Sequence, residues 1–503
     1  MLENLLLGFS VSLSLTNLFW CFVGIVVGVF VGVLPGLGSA ATIAMLLPIT
    51  YFLDTTPAII MLAGIWYGSM FGGAVTAILL NIPGQSTAVM TALDGYQMAR
   101  QGKAGAALGA SVFASFFGGL IGFLGLVLVA PPLAEFALQF GPPEYFALTV
   151  TGLTLVTYLA TQSVPKSLCA ALLGLLLGSV GIDPVSAAAR FTYGTLTLEN
   201  GLQIVPVIMG LFGIAEVFKM IESSLTAPND ATRLRERRSV IPNRGEWRAM
   251  AAPISAGGLI GFFVGLLPGA GAAIASYVSY VLVKRWSRHG AQFGTGRIEG
   301  VAAPEAGNNA ATCGAIIPLL TLGLPADIVP AIMLGAFLLH GVTPGPMMML
   351  QTPEMFWGIV TSFLVGTVMV VLVMLPFINL FARITELPKS IMAPLIVLVT
   401  LAGAYGVNNS AVEIWIMLGF GVLGYLMNKF EYPLPPLILA FVLGPILESS
   451  FRQSLIMGQG DFGIFVSRPF TAAILAVGLF MVFSPLMRIV RLKLGRASSR
   501  AAR

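Results

Sequence analysis

Two five-residue phrases lie deep in apolar sequence: Leu34-Pro35-Gly36-Leu37-Gly38 and Leu267-Pro268-Gly269-Ala270-Gly271. Proline removes a backbone donor, and glycine permits left-handed backbone and close approach. Each phrase therefore ends one helix and starts another, at Ser39 or Ala272. The free N–H groups and positive dipole end of such a start attract an anion, typically a carboxylate. Ser39 and Thr42 add hydroxyls to the first copy, whereas the second runs on into Ala272 and Ala273, so the pair is expected to be asymmetric. One such break reads most simply as a packing kink. Two at matching places in apolar halves point to broken helices facing a site.

A second pair of breaks accompanies the first. The polar island Asn81-Ile82-Pro83-Gly84-Gln85-Ser86-Thr87 follows an apolar run, and Gly323-Leu324-Pro325-Ala326-Asp327 is its partner. The run Tyr67-Gly68-Ser69-Met70-Phe71-Gly72-Gly73 suits close helix packing or exposed backbone. Pro304-Glu305-Ala306-Gly307-Asn308-Asn309 is the most polar phrase beside an apolar segment. It reads either as a turn at a membrane edge or as a place where Glu and Asn hold a cation or a substrate hydroxyl. Ionisable residues within a membrane are functional candidates, which singles out Glu305 and Asp327 for a coupling ion. Lys166, Arg190 and Arg383 lie near segment ends, where they snorkel. An anion site would depend on helix starts, amides and hydroxyls rather than on an arginine clamp.

Signals of enzyme chemistry are weak. Gly458-Gln459-Gly460-Asp461 has the GxGD form of intramembrane aspartyl proteases, but that chemistry needs a second aspartate on a facing helix. Asp461 reads as part of a polar turn. Arg100-Gln101-Gly102-Lys103-Ala104 lacks the glycine spacing and the Ser/Thr of a phosphate loop. The cysteines, Cys21, Cys169 and Cys313, form no CxxC pair, and no histidine cluster marks a zinc site. No catalytic residue, organic cofactor or sodium ligand set is legible.

The elements that must position these residues are membrane helices. Of 503 residues, 57% are hydrophobic and only 9% charged, with a mean hydropathy of +0.93. Soluble domains carry about 25% charge. Apolar stretches near crossing length recur, as at Ala110–Val129, Phe363–Phe377 and Ala472–Leu486. The fold expected is an all-α integral membrane protein with about ten to twelve hydrophobic segments, some broken or re-entrant. The opening segment lacks the basic flank of a signal peptide and is expected to remain, as an interfacial helix before the first crossing.

The net charge of +5 follows topology and does not suggest nucleic acid. No Lys or Arg occurs before Arg100; eleven fall between Lys219 and Arg297, and six in the last sixteen residues. Basic loops face the cytoplasm, which places the linker at 222–250 and the tail at 488–503 there. The linker separates an N-terminal membrane repeat at 1–221 from a C-terminal one at 251–487. Pro35 and Pro268 are 233 positions apart, and Pro83 and Pro325 are 242 apart. Pro142-Pro143-Glu144 likewise matches Leu387-Pro388-Lys389. Lys284, Arg285, Arg288 and Arg297 follow the second tip, while the matching loop at 51–57 has no basic residue. Conversely, Arg100 and Lys103 follow the first polar island, with no counterpart near His340. Positive ends that swap sides mark an inverted repeat. Arg248 and Lys284 are too close for two full crossings. A re-entrant hairpin with LPGAG at its tip fits, as does a single broken crossing.

These residues resemble the large membrane subunit of the bacterial tripartite tricarboxylate transporters. The phrases that carry the resemblance are GVLPGLGSAATIAMLLPIT (32–50), YGSMFGGAVTAILLNIPG (67–84), GIDPVSAAARFTYG (181–194), PEAGNNAATCGAIIPLLTLGLP (304–325) and LGPILESSFRQSL (443–455). The resemblance implies a secondary, ion-coupled importer in the cytoplasmic membrane. Its implied partners are a small four-helix membrane subunit and a periplasmic solute-binding protein that delivers a carboxylate. The binding residues it implies are Pro35, Gly36, Leu37, Gly38 and Ser39; Asn81, Pro83, Gly84, Gln85 and Ser86; Pro268, Gly269, Ala270 and Gly271; and Asn308, Asn309 and Pro325. Sodium is the first expectation for the coupling ion and protons the second. Elevator-type sliding follows by analogy. A passive channel, which would conduct without coupling, and a membrane-embedded protease are the alternatives.

Overall fold

The computed structural model describes residues 1–34, 38–159, 163–183, 185–224, 240–384 and 389–481. Pro35, Gly36, Leu37, most of the linker, the Leu387-Pro388 match, the Arg383 side chain and the basic tail lie outside them. The chain is all-α, apart from one two-stranded hairpin. Among the described residues, eight helices are long and apolar enough to cross a membrane.

The helices fall into two compact units, each drawing on both halves of the sequence. In chain order, the first unit begins with α1 (Leu2–Ser12), α2 (Leu15–Gly32), α3 (Ser39–Leu46), α4 (Thr55–Leu80), α5 (Val89–Arg100) and α6 (Ala104–Ala137). The second unit then supplies α7 (Pro142–Leu159), α8 (Val164–Gly178), strands β1 (Gly181–Ile182) and β2 (Ala189–Arg190), and α9 (Leu196–Glu199). The first unit resumes with α10 (Ile204–Ile208), which a π-turn joins to α11 (Ala215–Ser224). It continues through α12 (Arg244–Gly265), α13 (Gly271–Trp286), α14 (Glu299–Leu322), α15 (Ile328–Leu339), α16 (Met348–Gln351), α17 (Pro353–Ile384), α18 (Lys389–Asn408) and α19 (Ala411–Lys429). The second unit closes with α20 (Leu434–Met457), α21 (Ile464–Ser467) and α22 (Pro469–Met481).

Two helices form the centre of the first unit. Nearly every residue of α4 and α14 is buried, and glycine explains how backbone approaches them. A Cβ on Gly24, Gly28 or Gly32 of α2 would fall 2.2–2.4 Å from the carbonyl oxygens of Met61, Ile65 and Ser69 on α4. A Cβ on Gly257, Gly261 or Gly265 of α12 would meet those of Ala303, Gly307 and Ala311 on α14 at 2.0–2.4 Å. The glycines repeat at an offset of 233 and their partners at 242, the offsets of the two pairs of breaks. Backbone contact of this kind favours small residues at membrane helix interfaces.

Around the second tip, α12 and α13 pack on each other as a helical hairpin turning through 266–270. An Asn243 cap and the reciprocal Glu246 bond fix the start of α12. Its arms are unequal, at 22 and 16 residues, or about 33 and 24 Å. The longer arm alone reaches crossing length, so length does not by itself require re-entry. In the first half α3 has only 8 residues.

The polar phrase 304–309 is no membrane-edge turn. It lies inside α14, with Pro304 to Asn309 all buried. The GxGD phrase is a turn: Gly458 caps α20, and Asp461 is exposed and accepts its bond from the Gly463 N–H at 2.8 Å.

Candidate anion site

Both central helices end in the same way. Asn81 closes α4 at φ 56° and Gly323 closes α14 at φ 70°, each left-handed. After Asn81 the chain folds back along α4. The Gly84 N–H donates to Gly73 O at 3.3 Å, and a Cβ on Gly84 would stand 2.2 Å from Gly32 O. That path delivers Gln85 to the first turn of α3, where its Oε1 accepts from Ser39 Oγ at 3.3 Å. Thr42 bonds back to Gly38 O at 3.1 Å, holding the start of the same helix. Asn81 and Ser86 are exposed, Pro83 half-buried, and Gly84 and Gln85 buried. Of the first island, then, Gln85 turns inward, while Asn81 supplies the bend.

The second break returns to the second tip. Gly269 and Gly271 have φ of 80° and 60°, and the Gly269 N–H donates to Ala326 O at 2.6 Å. Pro268 and Gly269 are half-buried, while Ala270, Gly271 and Pro325 are buried. The Asp327 carboxylate accepts from the Ile328 N–H at 2.7 Å, at the start of α15. It also lies against the start of α13, in reach of the Ala272 N–H.

Between these places runs the polar stretch of α14. Glu305 is fully buried, and one carboxylate oxygen accepts from Thr91 Oγ1 of α5, the other from Ser115 Oγ of α6 at 2.9 Å. No basic side chain pairs with Glu305 among the described residues. Asn309 Nδ2 donates to Glu305 O at 3.1 Å and to Asn308 Oδ1 at 2.6 Å. Asn308 lies beside the Glu305 carboxylate, yet its Nδ2 completes no bond of good geometry.

Among the other buried atoms without a hydrogen-bond partner are Gln85 Nε2, Thr87 Oγ1 and Ser276 Oγ. Residues 86–88, which carry Thr87, pack against α13 and α14, and α13 packs against α14. All of these groups can donate. Buried donors are normally satisfied by protein, water or ligand, and spare donors beside helix starts suit the oxygens of an anion.

Thr91, Ser115 and Ser276 were not among the residues expected from sequence, and Thr87 was read only as the end of the polar island. Their signal was available as hydroxyls in apolar helices, with Thr87 and Thr91 four residues apart. Asp94 was also passed over, though it is the only acid between Asp54 and Glu135. It is buried, accepts from the N–H groups of Gly294, Gly296 and Arg297 at 2.7–2.9 Å and from Tyr280 Oη at 3.0 Å, and so ties α13 and the loop beyond it to α5. Among the described residues no cluster of three or more His, Cys, Asp or Glu side chains could hold a metal.

The sequence pattern of the "Tripartite tricarboxylate transporter TctA family" matches residues 18–439. The chain belongs to this family. The match covers both tips, both breaks and all of α14, and it makes the chain a multi-pass membrane component of a transporter. The phrase at 443–455 lies beyond it. Two proteins of Agrobacterium vitis are similar. An "Uncharacterized 52.8 kDa protein in TAR-I ttuC' 3'region" is 43% identical over 98% of both chains. An "Uncharacterized protein in TAR-II ttuC' 3'region" is 41% identical over 46% of this chain and 96% of its own. No solved structure matches.

Proposed function

We propose that this TctA-family chain is the large membrane subunit of an ion-coupled importer for an organic-acid anion, in the cytoplasmic membrane. The observation that carries the carboxylate is Gln85 Nε2, a buried amide donor without an acceptor beside the start of α3, together with the unpartnered hydroxyls of Thr87, in the segment packed on α13, and of Ser276, in α13 itself. The Gln85 amide nitrogen can only donate and cannot ligate a cation, so it favours an anion, and the hydroxyls of Thr87 and Ser276 can donate to the same anion. A tripartite family name supports two partners, read as a small four-helix membrane subunit and a periplasmic binding protein that delivers the acid.

Coupling falls to Glu305. A buried charge without a cationic partner is costly, and a sodium ion or a proton arriving with the substrate would offset it. Asp327, the other acidic candidate, already accepts from the Ile328 N–H at the start of α15 and lies against Gly271 at the start of α13. The glycine ladders repeated at offsets of 233 and 242, with basic loops swapping sides, support two inverted repeats. The linker and the tail then face the cytoplasm, and substrate is carried as one helical group slides against another.

Liposomes holding this chain with its two partners test the reading. They should accumulate labelled citrate, or another di- or tricarboxylate, only under a sodium or proton gradient, with preference for sodium. Uptake that follows ATP and survives collapse of both gradients would overturn it, as would ohmic anion conductance without accumulation.

A further inference from the structure

The two halves treat equivalent positions differently. The 242 offset that aligns Asn81 with Gly323 and Pro83 with Pro325 places Gln85 on Asp327, and the 233 offset places Ser39 on Ala272. In the first half the residue at this position meets the first turn of α3: Gln85 bonds Ser39 and keeps a buried Nε2 with no acceptor. In the second half it meets the first turn of α13. A Cβ on Gly271 would lie 2.8 Å from Asp327 Oδ2, the Ala272 N–H is in reach, and the Ile328 N–H donates at 2.7 Å. Both helix starts present the same positive dipole end. One has a carboxylate seated on it, built into the chain; the other has Gln85, a neutral amide with a spare buried donor.

We infer that Asp327 is an internal stand-in for a substrate carboxylate, so that the external acid is held at the Gln85 arm and Asp327 excludes a further carboxylate from the second arm. This rests on the carboxylate reading above and adds a specificity residue to it. The negative charge at the second arm repels any carboxylate that approaches. It thereby limits by one the number of carboxylates the substrate presents to the helix starts. Gln85 is then the group that selects an acid over its amide or alcohol.

The test is equilibrium binding of labelled propionate, succinate and citrate to the purified full chain in nanodiscs, at fixed sodium and again without it. Asp327→Asn, or Asp327→Gln, which copies the first arm, should raise the affinity for citrate relative to succinate, and for succinate relative to propionate, at least tenfold over the wild type. Gln85→Asp should lower binding of all three acids at least tenfold. If the Asp327 variants do not elute as monodisperse protein, Gln85→Asp decides, because retained binding there overturns the inference. Unchanged relative affinities among the acids in Asp327→Asn also overturn it; if sodium dependence is lost at the same time, Asp327 belongs to the coupling ion instead. Wild-type protein that binds none of the three acids would remove the carboxylate reading itself.

Discussion

At the residue scale, Gln85 and Glu305 are both buried and polar and have opposite needs. Gln85 offers hydrogens and lacks an acceptor; Glu305 is rich in electron pairs and accepts from the hydroxyls of Thr91 and Ser115. A hydrogen bond to a charged group is worth about 1.5–3 kcal/mol, so Gln85→Ala should weaken substrate binding by about 10- to 100-fold. Direct binding to the purified chain checks this, and an unchanged affinity would take Gln85 out of the site. Glu305→Gln keeps the shape and can still accept from one hydroxyl. It should leave insertion and binding intact while accumulation falls to the level seen without a gradient, as uptake into liposomes with and without an imposed gradient would show.

Among the elements, the breaks and their offsets were legible because proline and glycine act locally, through the backbone dihedrals of a few residues. Asn81 and Gly323, the two left-handed stops, follow directly from that. The buried setting of 304–309 was not legible. Glu and two Asn in six residues look like a turn until α2, α6, α12 and α13 are seen to enclose α4 and α14, and enclosure depends on partners distant in sequence. Thr91 and Ser115 were missed for the same reason, since each lies about 200 residues from Glu305 along the chain. The glycine ladders give this scale its prediction. A side chain on Gly28 would meet the Ile65 backbone at 2.4 Å, which cannot move aside as a flexible side chain can. Overpacking of well-filled cores commonly costs about 1–3 kcal/mol. Gly28→Leu should exceed that and yield no monodisperse protein, whereas Gly419→Leu, where a Cβ would meet nothing within 4 Å, should purify normally. Size-exclusion profiles in detergent separate the two.

For the molecule as a whole, the second unit gathers two acids and two arginines into one ion-pair cluster. Asp183 accepts from Ser186 Oγ at 2.5 Å and from the Val185 N–H at 2.9 Å, then from Arg452 and Arg190, and Arg190 grips both oxygens of Glu448 at 2.9 Å. The Ser186 and Val185 bonds, followed by the two guanidinium groups, hold the Asp183 carboxyl well below its usual range. A carboxylate depressed in this way stabilises the fold above its unfolded value, about 3.9, and that stabilisation fades only as pH falls below it. Protection of the amides at 181–190 from hydrogen exchange should therefore be flat from about pH 5 to 8 and drop in more acid solution. Asp183→Asn should lower it across that whole interval. The ladders in the first unit set a different kind of limit. Three glycines spaced four residues apart on α2 seat against three backbone carbonyls spaced four apart on α4, and α12 seats on α14 with the same spacing. Such a pair behaves as a rack with teeth about 6 Å apart. Its members stay in register or jump a whole tooth, and they do not creep. In the sliding proposed above, each pair then travels as one plate, and the strokes come in whole plates.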